Sequence, residues 1–218
     1  MRCARDNTGA LCVSGPGGVV TCYQNGNTLS DQWDAGGDVA ALATEGYPSG
    51  LCAVRTDGTV VCHEPMMGQP NIASSLTGVK DLCFGDPMAN EGCARLETGE
   101  LRCWGDWVGS ATPKVPDGAW PTSRQLTCGY HHFCALSGIN IVRCWGANDH
   151  GQLGHDGPPV TVAADVPMPG PVTSIVAGHD HTCALLASRD VVCWGDNEFG
   201  QLGRPILMST RVPLVVSQ

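Results

Sequence analysis

The chain has 218 residues, enough for one large all-β domain or two small ones. With 29 Gly, 15 Pro, 15% charged and 42% hydrophobic residues, it is too apolar for a disordered chain and too rich in turn formers for a helical one. A formal net charge of -9 sets it against phosphate backbones, and no apolar run approaches the ~20 residues of a spanning helix, so neither nucleic acid nor membrane insertion is expected.

Taken in chain order, the sequence falls into repeats marked by cysteines. Cys12 and Cys22, Cys52 and Cys62, Cys93 and Cys103, Cys134 and Cys144, and Cys183 and Cys193 are each ten positions apart. Around them "LCAVRTDGTVVCHE", "GCARLETGELRCWG", "FCALSGINIVRCWG" and "TCALLASRDVVCWG" share one plan: a short apolar segment, a turn, a second apolar segment. Asp-Gly in "RTDGT" suits a type I turn closed by a glycine bulge. The two cysteines of each pair lie symmetrically about the turn centres Gly17, Asp57, Thr98, Ile139 and Ser188, so the hairpin sets them opposite one another, at disulfide distance.

Each hairpin has an apolar segment before it ("VAALATEG", "TGVKDLCFG", "SRQLTCG", "VTSIVAG") and a weaker one after it ("AADVPMP", "TRVPLVV"). Four strands per repeat and a period of ~40–50 residues predict an all-β propeller of five four-stranded blades with one disulfide in each. As one domain spanning 1–218, the blades run approximately 1–36, 37–77, 78–118, 119–168 and 169–218. "RVPLVVSQ" has no inner strand after it, and "MRCAR" is expected to supply one and close the ring.

The text of the last two repeats, "HTCALLASRDVVCWGDNEFGQLG" and "FCALSGINIVRCWGANDHGQLG", resembles the RCC1 (regulator of chromosome condensation) repeat family. The third repeat keeps "LRCWG" without GQLG, and the first two have "CYQ" and "CHE" at that place. The resemblance implies a propeller that recognises proteins through its loops. Better-known members have seven blades, and the paired cysteines are more similar to exported bacterial members than to nuclear ones. Some of those exported relatives resemble enzyme inhibitors.

Thirteen cysteines point to an oxidising compartment: secreted, periplasmic or cell-surface. "MRCARDNTGA" has no apolar signal-peptide core, so an exported protein would be in its mature form. No C-x2-C stands at zinc spacing. Cys83 and Cys128 fall on inner strands of adjacent repeats, placed either to bridge them or to remain thiols. Cys3 is the expected unpaired cysteine, leaving a monomer or a pair of chains linked through it.

His131 and His132 in "GYHHFC" and His179, Asp180 and His181 in "GHDHTC" occupy equivalent positions, where the second repeat carries Gly50 and the third Glu91. They read as repeat-structural histidines bonding a loop carbonyl, or as a metal or acid–base rim. GQLG reads as a turn, since it lacks the G-K-[ST] ending of a phosphate loop. Trp104, Trp145 and Trp194 read as packing between blades; Trp33, Trp107 and Trp120 fall off the pattern.

Alternating strand direction brings the loops before the first cysteine and after CWG to one face. Tyr47, Tyr130, His131 and His179 come from the first set of loops. Asp106, Trp107, Asp149, Asp196, Glu198 and Phe199 come from the second. Aromatic and acidic together, they suit a basic or polar protein patch. The expected function is a non-enzymatic protein-binding module with no cofactor. Alternatives are a carbohydrate-binding lectin, a metal-dependent or acid–base enzyme on the histidine rim, and a structural role in a surface assembly.

Overall fold

The computed structural model describes residues 3–5, 11–24, 28–44, 51–63, 73–86, 91–203 and 209–216. Five hairpins form its centre: β2 (Leu11–Ser14) with β3 (Val19–Gln24), β6 (Leu51–Arg55) with β7 (Val60–His63), β9 (Gly92–Leu96) with β10 (Leu101–Gly105), β13 (His132–Ser137) with β14 (Val142–Gly146), and β17 (His181–Leu186) with β18 (Val191–Gly195). In every one the two cysteines are direct cross-strand partners. All five pairs are bonded, with Cα atoms 3.9–4.1 Å apart. That is closer than the ~4.5 Å typical of facing residues, so the staple draws the strands together.

The turns follow from local chemistry. The Thr59 amide donates to Asp57 Oδ1 at 2.9 Å, and Gly58 sits at φ 77° in the left-handed region. Asn140 (φ 69°) and Arg189 (φ 76°) hold the same conformation at the equivalent turn position without glycine.

An inner strand flanks each hairpin: β1 (Cys3–Arg5), β5 (Val39–Thr44), β8 (Val79–Phe84), β12 (Ser123–Cys128) and β16 (Val172–Ala177). The outer strands are β4 (Thr28–Asp34), β11 (Ser110–Lys114), β15 (Val160–Asp165) and β19 (Thr210–Val215). Four sheets are therefore four-stranded antiparallel meanders. The second blade shows three strands among the described residues, and the span expected to hold its fourth lies in residues 64–72, outside them.

Inner strands pack in chain order, β1 on β5, β5 on β8, β8 on β12 and β12 on β16; among the described residues β16 and β1 share no comparable packing. Of the "MRCAR" segment, Cys3–Arg5 is the inner strand that was expected there. Cys3–Arg5 pairs with β2 as the first blade's own inner strand, while the last blade consists of β16–β19 alone.

The core lies between blades. The fourth blade presents its staple, Leu136, Val142 and Leu153 to Ile175, Ala184, Leu186, Val192 and Trp194 of the fifth. The same alternation joins the third blade to the fourth through Leu101, Phe133 and Trp145. Each such fully buried side chain contributes roughly 1.5–3 kcal/mol over its exposed state. A sixth disulfide, Cys83–Cys128, ties β8 to β12 across two blades, with Cα atoms 5.8 Å apart. Twelve of the thirteen cysteines are thus bonded, which leaves Cys3 no cysteine of its own chain to pair with.

Candidate functional site

The repeat text divides into a buried lock and an exposed rim. The lock joins the fourth and fifth blades. His132 is fully buried, and its Nε2 lies 2.8 Å from Thr182 Oγ1. Thr182 donates to the Gln152 carbonyl at 3.2 Å, and Trp194 Nε1 donates to the same carbonyl at 2.8 Å. Gln152 belongs to the first GQLG segment. Asn148 Oδ1 takes the Leu153 amide, and Gln152 Oε1 takes the His150 amide, so this segment is a rigid turn aimed at the next blade. Burial pushes the His132 pKa down to about 3, so the ring is neutral. His132 thus bonds a hydroxyl of the neighbouring blade rather than the expected loop carbonyl. Burial also lowers the pKa of His181, its equivalent in the last blade.

Above the lock, the two kinds of loop meet. The Ala147 amide donates to His131 O at 2.7 Å and the Asp196 amide to Asp180 O at 2.8 Å, which binds each loop after CWG to the loop before its own hairpin. Gly146 and Gly195 make this possible, because a Cβ there would lie 2.3–2.4 Å from those same carbonyl oxygens. Adjacent blades are joined by the Tyr130 amide, which donates to His179 O at 2.8 Å, and by the stacking of the two rings at 4.3 Å. His131 meets Tyr130 edge-on at 4.3 Å.

His131 also faces the third blade. Its Nδ1 is 3.6 Å from Glu91 Oε2, and its Nε2 is 3.6 Å from Asp86 Oδ2. Glu91 is buried, and burial, with Asp86 and Asp106 adding negative charge, raises its pKa to about 8. The Tyr130 hydroxyl donates to Asp86, and burial followed by Asp86 raises the Tyr130 pKa. His179 Nδ1 is 2.5 Å from Asp180 Oδ2.

Of the residues expected to bind a partner, Tyr130, His131 and His179 form one cluster. Asp106 is exposed beside it and acts on Glu91 through its charge. Asp196 lies 3.8 Å from His150, and Asp149, Glu198 and Phe199 are exposed on the two loops, Phe199 at 84%. Trp107 is partly buried against the core between the third and fourth blades. Tyr47 lies outside the described residues. The other off-pattern tryptophans are engaged locally: Trp33 stacks on His63 at 5.1 Å, and Arg143 lies 4.1 Å over the Trp120 ring.

Two models of the regulator of chromosome condensation (RCC1) repeat match the chain, one at residues 124–152 and 172–201, the other at 142–185. Together the matches run from residue 124 to residue 201. The human probable E3 ubiquitin-protein ligase HERC4 is 57% identical over 30 residues, 14% of this chain and 3% of that protein. The fold is similar to that of yeast RCC1 (Prp20) in its complex with Kap60, with a TM-score of 0.77 and 17% identity, covering 96% of this chain and 59% of that one. Human WBSCR16 gives a TM-score of 0.77 at 16% identity over 99% of this chain and 66% of its own, and the CRINKLY ectodomain of Arabidopsis thaliana ACR4 gives 0.61 at 19% over 88% and 62%. The chain thus spans about three fifths to two thirds of these structures.

Two residues of the rim cluster, Glu91 and Asp86, are not among those expected from the sequence. Glu91 stands where the later repeats carry His132 and His181. An acid at the place of a buried histidine is itself a signal of a buried acid. Asp86 carries no such mark, because only the fold brings it to His131, 45 positions away in sequence.

Proposed function

We propose that this RCC1-repeat chain is a non-enzymatic protein-binding module of an exported or cell-envelope bacterial protein, and that it takes its partner on the loop rim of the third to fifth blades. The observation that carries this reading is the division within one set of loops. The lock side chains are buried, while directly above them stand residues that differ from blade to blade, ending in a fully presented Phe199. Aromatic side chains set among acids are typical anchors for a partner's apolar and basic groups. The six disulfides support an oxidising compartment. Among the structural neighbours, Prp20 has been solved with Kap60 and studied for binding to Gsp1p and histones, which supports protein recognition by this fold.

The test is capture of partners from an envelope fraction by the oxidised chain, compared with a chain carrying Phe199→Ala and His179→Ala. The partner should be lost from the double variant at unchanged stability. Equal capture by both chains would refute the rim as the binding face.

A further inference from the structure

We propose that the space between the Asp86 and Glu91 side chains, filled by the His131 ring in the free protein, receives an arginine side chain of the partner when that ring moves out. This rests on the protein-binding reading above and names what that rim grips.

The starting point is Glu91. Its side chain is 1% exposed, and Oε2 has no hydrogen-bond partner. His131 Nδ1, buried at 3.6 Å from it, has none either. The other ring nitrogen is 3.6 Å from Asp86 Oδ2. Both gaps are too long for hydrogen bonds. A planar ring therefore stands between two acidic side chains without hydrogen-bonding to them. The buried Glu91 oxygen lacks the hydrogen bond that a suitable donor would supply.

A guanidinium has the required shape and charge. It is planar, always protonated, and carries five N–H donors in a fork that can serve two carboxylates at once. Asp106 adds negative charge at Glu91 from the loop after CWG, and Asp180 adds it at Tyr130 from the fifth blade. Among the described residues no lysine or arginine is ion-paired with Glu91 or Asp106. Tyr130 and His179, stacked at 4.3 Å, give the flat aromatic wall on which guanidinium groups lie. His131 is one-third exposed, so its ring can swing outward to admit the group. Burial keeps Glu91 protonated up to about pH 8, so the arriving cation expels that proton.

The probe is Nα-acetyl-arginine methylamide, with its neutral citrulline counterpart as control. It is titrated into the oxidised full chain while the Tyr130 and histidine ring signals are followed by NMR. Saturable shifts with the arginine probe alone are expected, with affinity falling several-fold from pH 8 to pH 7 and again to pH 6. Calorimetry should show proton release as a buffer-dependent enthalpy. His131→Ala, which empties the place, should tighten binding, and Glu91→Gln should abolish it. Equal shifts with citrulline, or arginine binding unchanged in Glu91→Gln, would overturn the proposal. A partner captured by the rim but neither displaced by the probe nor weakened by Glu91→Gln would remove this pocket and leave the protein-binding reading intact. Arginine binding in a chain whose partner capture ignores Phe199 and His179 would do the reverse.

Discussion

His132 Nε2 lies 2.8 Å from Thr182 Oγ1, and that contact holds the fourth blade to the fifth. The single Thr182 proton goes to the Gln152 carbonyl, so the ring must donate and carries its hydrogen on Nε2. The fifth blade repeats the donor side with His181 and Gln201, but there the face is open. Leu136 and Val142 are 0% exposed, while their equivalents Leu185 and Val191 are each 40% exposed.

Stability should depend on pH through two opposed groups. The His132 pKa falls from an unfolded value near 6.5 to about 3, so its contribution is present above pH 6.5 and is lost as pH falls toward 3. The Glu91 pKa rises from 4.5 to about 8, so the contribution of its neutral form is present below pH 4.5 and is lost as pH rises toward 8. Between 4.5 and 6.5 the two slopes oppose one another. Urea unfolding should show His132→Gln abolishing the acid-side loss and Glu91→Gln abolishing the loss toward pH 8. Glu91→Gln should raise stability at pH 7.

Two equivalent tryptophans should respond unequally to the same substitution. Trp194 Nε1 donates to Gln152 O, whereas Trp145 Nε1 is buried with no partner among the described residues. Trp194→Phe removes one of the two donors to the buried Gln152 carbonyl and should cost about 1 kcal/mol more than Trp145→Phe. Parallel denaturant titrations of the two variants provide the comparison, and equal losses would contradict the assigned hydrogen bond.

The disulfides should also differ in worth. Cys83–Cys128 closes a separation of 45 residues and each hairpin staple one of 10. Chain entropy alone gives about 4 kcal/mol for the former and about 3 kcal/mol for the latter. Replacing both members of each pair by alanine and measuring the unfolding midpoint should rank the interblade bond first. Alkylation before reduction should label one thiol per chain, and mass spectrometry counts it.

Phe199→Ala should leave stability within about 0.5 kcal/mol of the parent, because the ring is 84% exposed. Partner capture should fall at least tenfold if the ring fills a pocket on the partner. Calorimetric unfolding and pull-down yield, measured on the same preparation, separate the two effects.

The staples were legible because a spacing of ten fits a tight hairpin with both cysteines at mirrored positions, and local geometry alone decides that. GQLG as a turn followed from glycine chemistry. The partner of each lock residue was not legible, because it depends on the preceding repeat. Trp145 and Trp194 share the CWG text, yet only Trp194 has a GQLG carbonyl before it, since the third repeat lacks that segment. The Asp86–His131–Glu91 grouping was hidden for the same reason: it crosses from one blade to the next.

The two kinds of disulfide report different moments in the life of the chain. Each hairpin staple joins neighbours in sequence, so it can oxidise as soon as a single turn has formed, one blade at a time while the chain is still emerging. Cys83 and Cys128 meet only when the third and fourth blades have docked. That bond follows the docking of its two blades, and its arrival timestamps their assembly: a pulse of thiol-blocking reagent during refolding would trap stapled blades not yet joined to one another.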